Sequence, residues 1–288
     1  MNITHEERAQ VLIQALPYIK EYTNKVVVIK YGGNAMIDPK LTADVMSDLV
    51  LLSLVGVKVV LVHGGGPDVS SVMMRMGKTS RFVDGLRQTD AETAEIVQMV
   101  LAGKTNKDLV KLLQSCGGKA IGLCGKDANL IEVTKTPPKD GVDLGYVGQV
   151  TRINVELLTM LTQNGYIPVI APVGVGPGGE SYNINADTVA GDVAAALKAE
   201  KLMFLTDIDG VRMDPENPDT LMSVISVDHI YRLIEQKVIV GGMIPKVMGC
   251  IKGIEQGVQR THIVNGTIPH PIVLEIFTDK GIGTMVTR

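Results

Sequence analysis

Short apolar, β-branched runs recur along the chain at residues 26–29, 57–62, 120–124, 166–171, 201–206 and 261–264. Most are hydrophobic at successive positions, so both faces of the strand are apolar, as in a parallel sheet buried on two sides. Between them, apolar residues return at helical spacing over 41–55, 91–101, 155–161, 188–197 and 247–257. This alternation predicts an α/β fold with a sheet covered by helices on both faces. Ahead of the first strand, Val11, Leu12, Ala15, Leu16, Ile19 and Tyr22 share one helical face, and Glu7, Gln14 and Lys20 lie largely elsewhere. Residues 5–22 therefore read as an amphipathic helix, kinked at Pro17 because proline removes a donor and clashes with the preceding turn. The pattern alone has this helix packing on its own subunit. Residues 136–148, rich in Pro, Gly and Asp, read as an exposed loop or hairpin, and a lobe boundary falls near 172–179.

Composition narrows the class of function. The 288 residues carry a formal charge of −3 with Lys and Arg scattered among the acids, which argues against a nucleic-acid partner. Cys116, Cys124 and Cys250 have no CxxC spacing and suggest neither a disulfide framework nor a zinc site. The amino terminus lacks the basic stretch and apolar core of a signal peptide, and no apolar run approaches the roughly 18 residues of a membrane span. The expectation is a soluble, cytoplasmic small-molecule enzyme without a membrane partner.

The candidate chemistry lies at glycine-rich strand ends. The first apolar run ends Lys30-Tyr31-Gly32-Gly33, where backbone N–H groups can approach an anion and the lysine supplies a point charge. Read alone, the segment is equally a tight turn with a solvated lysine. The second run ends His63-Gly64-Gly65-Gly66-Pro67 and leads into a helix from about Asp68, a site suited to an anion. The same HGGG string occurs in the oxyanion loop of some esterases, but no G-x-S-x-G elbow accompanies it. His63 reads as structural. Gly174, Gly176 and Gly179 match a dinucleotide fingerprint without the helix it requires, and Gly103-Lys104-Thr105 lacks the first glycine of a P-loop.

Three polar segments exceed what a core needs. In Asn183-Ile184-Asn185-Ala186-Asp187, helix capping explains one polar residue, not three. Thr206-Asp207-Ile208-Asp209-Gly210 ends a strand at the carboxyl edge, where ligands bind in open α/β sheets, though a turn at Asp209-Gly210 also accounts for it. Gly241-Gly242-Met243-Ile244-Pro245-Lys246 puts a lysine in a first helical turn, unfavourable for the macrodipole unless an anion lies nearby. Arg87, after the turn Asp84-Gly85, has the planar fork that suits a carboxylate.

Together IKYGGNAM, VLVHGGGP, DGLRQTD, YNINADT, LTDIDGV and GGMIPKV, in this order and spacing from about Lys25 to the carboxyl end, resemble the amino acid kinase family. GLR, NINAD and GGMIPK resemble most the branch that phosphorylates N-acetyl-L-glutamate in arginine biosynthesis. The resemblance implies a three-layer α/β/α sandwich around a mainly parallel sheet, with an oligomerisation helix over 1–24, an acyl-substrate lobe over 25–175 and an ATP lobe over 176–288. It implies that Lys30 and Lys246 neutralise the transferring phosphoryl group, that Asp187 orients both, and that Gly33 and Gly65 offer N–H donors. Gly65, Gly66, Arg87 and Asn183 would bind the acyl substrate, Arg87 and Asn183 at its α-carboxylate. Thr206, Asp207 and Gly210 would bind nucleotide. Mg²⁺ would be held mainly by the phosphates of ATP, with no protein metal ligand.

Arginine-inhibited members of that branch carry a kinked amino-terminal helix that interlaces with its copy and joins three dimers into a hexamer. The resemblance therefore implies an arginine site at His270, Glu275 and Gly281, with Tyr18 contributing from the helix. Some members also bind a PII-type signalling protein. Rival expectations are another kinase of the family, such as glutamate 5-kinase or aspartokinase, and a ligand-binding regulator without turnover.

Overall fold

The computed structural model of the protein describes residues 4–36, 38–139 and 141–288. Its main sheet has eight strands in the order β12 (Val224–Ser226), β14 (Thr284–Thr287), β13 (Arg260–Asn265), β11 (Lys201–Thr206), β1 (Val26–Tyr31), β2 (Lys58–His63), β8 (Ile167–Ile170) and β5 (Ala120–Leu123). All neighbours run parallel except β13 and β14. The sheet is continuous through the β1–β11 pairing, so strands from both expected lobes share one layer.

Alternation along the strands creates a core on each face. Val28, Val60, Leu202 and Phe204 point to one side, under α7 (Glu156–Gln163), α8 (Ala186–Ala196), α9 (Val227–Glu235) and α10 (Met243–Glu255). Val27, Ile29, Val59, Leu61 and Met203 point to the other, under α3 (Pro39–Leu54), α6 (Asn106–Ser115) and α11 (Pro271–Ile276). The chain thus has the expected three layers. A smaller sheet, in the order β10 (Ser181–Asn183), β9 (Val173–Val175), β6 (Ile131–Lys135) and β7 (Gly148–Ile153), was not foreseen, although the 136–148 segment does connect the β6–β7 hairpin. The hairpin β3 (Phe82–Val83) and β4 (Leu86–Arg87) is tied to α4 (Gly66–Arg75) through Arg87 and Ser70 and is followed by α5 (Ala91–Gln98).

The amino-terminal segment breaks into α1 (His5–Gln14) and α2 (Leu16–Tyr22) at Ala15, with Pro17 in the first turn of α2, where its missing N–H costs no helical bond. A capping box between Thr4 and Glu7 starts α1. Packing on its own subunit holds only for α2: Tyr22 is buried, whereas Val11 and Leu12 are 60% and 74% exposed. The expected helix over 91–101 also changes form, because α5 passes at Met99 into a seven-residue π-helix ending at Thr105. No described helix is long and apolar enough to cross a membrane.

Candidate active site

β1 and β2 end side by side, so the turns after Lys30 and His63 meet at the carboxyl edge of the sheet. Gly64 N–H donates to the Tyr31 carbonyl at 2.7 Å, which ties one turn to the other. Gly65 adopts φ +152°, and a Cβ there would stand 2.5 Å from the Leu101 side chain on the π-helix, so only glycine fits. Gly65 caps α4, and the first turn of that helix presents its positive end to the same space.

Across this edge, Asn185 caps α8 by accepting from the N–H groups of Asp187 and Thr188. Capping thus consumes one polar residue of the NINAD segment and leaves the other two for the site. Asp187 Oδ1 lies 2.9 Å from Lys30 Nζ. Lys246, in the first turns of α10, joins Lys30 and Asp187 around a small cavity floored by Phe204 and Thr206. Its ion pair, however, is with Asp207 at 3.5 Å, so Asp187 orients Lys30 while Asp207 holds Lys246. The reason is reach: Asp207 follows the end of β11, whose last residues line the same cavity as Lys246.

The neighbouring pocket, of about 190 Å³, lies between the Gly64–Gly66 turn, the β3–β4 hairpin and the segment from Asn183 to Ala186. Arg87 is buried in its wall, with its guanidinium 4.7 Å from the Phe82 ring centroid. One guanidinium nitrogen donates to the Gly66 carbonyl at 3.0 Å and to Ser70 Oγ at 2.9 Å, and the other to Ser80 Oγ. All these acceptors are neutral, and burial lowers the pKa of Arg87 from the usual arginine value. A buried cation facing a cavity without a carboxylate of its own is set to receive an anionic ligand. Asn183, on β10, faces the same pocket, with its side-chain amide 3.4 Å from Thr89 Oγ1.

A third cavity, of about 390 Å³, opens beyond β11 between residues 207–212 and 238–243. Gly210 lines it at φ +146°, and a Cβ there would strike the Thr284 hydroxyl. Thr206 Oγ1 accepts from the Ile208 N–H at 3.2 Å, and Asn265 holds Asp209 at 2.7 Å, shaping a polar turn beside an apolar wall of Val238, Ile239 and Val240. The two lysines line only the small cavity, whose wall at Thr206 and Asp187 continues in sequence into the walls of the other two, at Asp207 and Ala186.

Residues 25–265 match the model of the amino acid kinase family. The chain belongs to that family. Relatives of this kinase include the acetylglutamate kinase of Caldicellulosiruptor bescii, 56% identical over 283 residues and covering 97% of this chain and 96% of that protein. The acetylglutamate kinase of Moorella thermoacetica is 55% identical over 293 residues, covering 99% of both. Among solved structures, the N-acetylglutamate synthase of Neisseria gonorrhoeae, complexed with coenzyme A and N-acetyl-glutamate, superposes with a TM-score of 0.86 at 26% identity over 97% of this chain. This chain spans 63% of that longer protein. A carbamate kinase from Giardia lamblia, 18% identical over 92% of this chain and 99% of its own, shares the fold with a TM-score of 0.67.

In this amino acid kinase the carboxyl-terminal residues group differently from expectation. His270 does not meet Glu275; it starts α11 and donates from Nδ1 to the buried Asp48 at 2.7 Å, while Asp48 also caps α11 through Ile272 and Val273. The histidine at Glu275 is His262 on β13, 2.7 Å away, and beyond it lies Lys201 at 3.0 Å. Glu275 Oε2 already accepts from the N–H groups of Ile282 and Gly283, at 2.7 and 2.9 Å, so both of its carboxylate oxygens have partners within the chain. Gly281 leaves room for that carboxylate itself, because a Cβ there would lie 2.5 Å from Glu275 Oε2. Tyr18 does reach the carboxyl-terminal segment, hydrogen-bonding Asp279.

Lys201 and His262 escaped the reading of the sequence although a signal existed. Each is a cationic or titratable residue in a strand that is largely buried, Lys201 heading the apolar run of β11 and His262 preceding Ile263 and Val264 on β13. Burial, helped by the charge of Arg260, pulls Lys201 down to about 8, and the Tyr22 ring lies 5.0 Å from its ammonium group. Ser70 and Ser80, which hold Arg87, carried no such signal.

Proposed function

We propose that this kinase transfers the γ-phosphoryl group of ATP to the γ-carboxylate of N-acetyl-L-glutamate, giving N-acetyl-L-glutamyl 5-phosphate and ADP. The observation that carries the reading is Arg87: a buried guanidinium held only by neutral acceptors, in a pocket whose lining contains no Asp or Glu. The α-carboxylate of the substrate is its natural partner, with Asn183 alongside. The missing acid also discriminates at the other end of the substrate. A free α-ammonium, as in glutamate, would enter without a counterion, whereas an N-acyl amide is neutral and its methyl meets the apolar side chains of Val69, Leu101 and Ile184.

The γ-carboxylate is ionised near neutral pH and attacks the γ-phosphorus without a general base. As the new O–P bond forms, the bond to the β-phosphate oxygen breaks and ADP leaves. Lys30 and Lys246 neutralise the equatorial oxygens, and the N–H groups of Gly33 and Gly65 donate to them. Asp187 and Asp207 are each held by a lysine. Mg²⁺ would therefore be held chiefly by the nucleotide phosphates, where it supplies further charge neutralisation. Thr206, Asp207 and Gly210 form the polar edge of the nucleotide cavity.

An ADP-release assay with N-acetyl-L-glutamate, glutamate and aspartate tests the proposal. Turnover should be confined to the acetylated substrate; preference for either free amino acid would transfer the chain to another member activity.

A second reading concerns regulation by arginine. The cluster of Lys201, His262 and Glu275 connects to α2 through Tyr22 and through Arg260, which binds Glu21 at 2.9 Å. The exposed apolar residues of α1 support a helix that packs on a neighbouring copy, as in a hexamer of three dimers. Arginine would then bind between α2 and the carboxyl-terminal segment, with His262 in place of His270 as the histidine of the site.

A further inference from the structure

Behind the glycine turn lies a polar chain, buried except for Lys107 at its outer end, that the phosphoryl-transfer mechanism does not use. Lys107 Nζ approaches Asn106 Oδ1 at 3.1 Å, Asn106 Nδ2 reaches the Val169 carbonyl at 2.8 Å and His63 Nε2 at 3.1 Å, and His63 Nδ1 reaches the Gly64 carbonyl at 2.6 Å. His63 and Asn106 are both fully buried.

The direction of every bond in this chain follows from groups that have no choice. An ammonium group only donates, so Asn106 Oδ1 is the acceptor, and a carbonyl only accepts, so Asn106 Nδ2 faces Val169. The second N–H of that amide must then donate to His63 Nε2, which leaves the imidazole proton on Nδ1. From there it is donated to the Gly64 carbonyl. Burial favours the uncharged ring that this arrangement requires.

We propose that His63 is a positioning residue for phosphoryl transfer: by holding the Gly64 carbonyl, it fixes the plane of the Gly64–Gly65 peptide and so the aim of the Gly65 N–H. In a trans peptide the C=O and the following N–H point in opposite directions. Anchoring the oxygen toward His63 therefore turns the Gly65 N–H away from the ring and toward the pocket that Gly65 lines. Asn106 sets the tautomer, and the π-helix sets Asn106. It ends at Thr105, whose hydroxyl grips Asp68 on α4 at 2.8 Å, so consecutive residues brace both ends of the glycine turn. The effect on catalysis rests on the phosphoryl-transfer reading above, whereas the tautomer does not.

Two measurements separate them. With ¹⁵N-labelled histidine, long-range ¹H–¹⁵N correlation of the full chain without ligands should show His63 protonated at Nδ1 only. A proton on Nε2 overturns the proposal whatever the enzyme turns over. In kinetics, His63→Phe keeps a planar ring and removes the donor, and should lower kcat about 10- to 100-fold, less than the roughly 100- to 1,000-fold of removing an aligned donor outright, with KM for N-acetyl-L-glutamate within about threefold. His63→Asn places an amide N–H near the position of Nδ1 and should restore most of the lost kcat. Equal kcat in wild type and His63→Phe overturns the proposal, as does an asparagine variant that folds yet is as slow as the phenylalanine one. If the wild type does not phosphorylate N-acetyl-L-glutamate, the substrate reading fails, and the correlation spectrum still decides the tautomer.

Discussion

Lys30 Nζ and Asp187 Oδ1 stand 2.9 Å apart across the carboxyl edge of the sheet, one at the end of β1 and the other in the first turn of α8. The pair is half open to solvent, so its contribution to stability is small. In the proposed mechanism its value is the placement of a charge where phosphoryl charge develops. Lys30→Ala and Lys246→Ala should each lower kcat about 100-fold, the cost of one aligned charge donor. KM for N-acetyl-L-glutamate should change little. Steady-state kinetics of the two variants check this, and wild-type kcat in either would remove that lysine from the mechanism.

Arg87→Lys should have the opposite signature. The guanidinium spans Ser70, Ser80 and the Gly66 carbonyl at once, and a single ammonium group cannot reproduce that planar arrangement. KM for the acyl substrate should rise at least about tenfold, as expected for losing a charge-assisted bond. The kcat should stay near the wild-type value. An unchanged KM would sink the carboxylate-binding role.

Gly210→Ala tests the proposed nucleotide turn. At φ +146° an added methyl is strained, and it meets Thr284, whose hydroxyl accepts from the Val211 N–H at 2.8 Å. The turn should shift, raising KM for ATP more than KM for N-acetyl-L-glutamate. Equal effects on both substrates would mean a general loss of structure and not a nucleotide contact.

The buried His63 gives a pH dependence of known sign. Burial depresses its pKa to about 4, against 6.5 for a free histidine, so the unfolded chain takes up this proton first as pH falls. The stability that His63 contributes is complete above about pH 6.5 and is lost as pH falls toward 4, a total of roughly 3 kcal/mol. Denaturant titrations at pH 7, 6, 5 and 4 should show a steeper decline for wild type than for His63→Asn. Parallel curves would show that the ring is protonated as readily inside the fold as outside it.

Deletion of residues 1–14 removes α1 but spares Tyr22 and the Glu21–Arg260 pair. The shortened chain should retain turnover, elute as a smaller oligomer than the full chain and lose most inhibition by arginine. A hexamer with undiminished arginine sensitivity would assign α1 another purpose.

The central strands were legible because burial on both faces leaves an apolar run that little else produces, as in Lys201–Thr206, where all six positions are buried. The smaller sheet was not, since Gly148–Ile153 is half exposed and its partners are only three to five residues long. The passage from α5 into the π-helix was equally hidden, because apolar spacing continues smoothly through Met99. At the site, the motifs drew attention to Lys30, Lys246 and Asp187, but the pairing of Lys246 with Asp207 depends on how α10 lies against the end of β11. Spacing along the chain carries no information about that. For the arginine site the resemblance pointed to His270, whereas β13 brings His262 to Glu275, a meeting of strand and helix that the order of residues does not reveal.

The place of β1 in the sheet also bears on how the chain reaches its fold. Its neighbours are β2, about one helix away in sequence, and β11, which begins at Lys201. During synthesis one edge of β1 remains without its final partner until more than two thirds of the polypeptide has emerged from the ribosome, leaving an apolar strand edge open to mispairing. Folding of the two halves is therefore coupled, and an amino-terminal fragment ending before β11 should aggregate instead of forming an independent lobe.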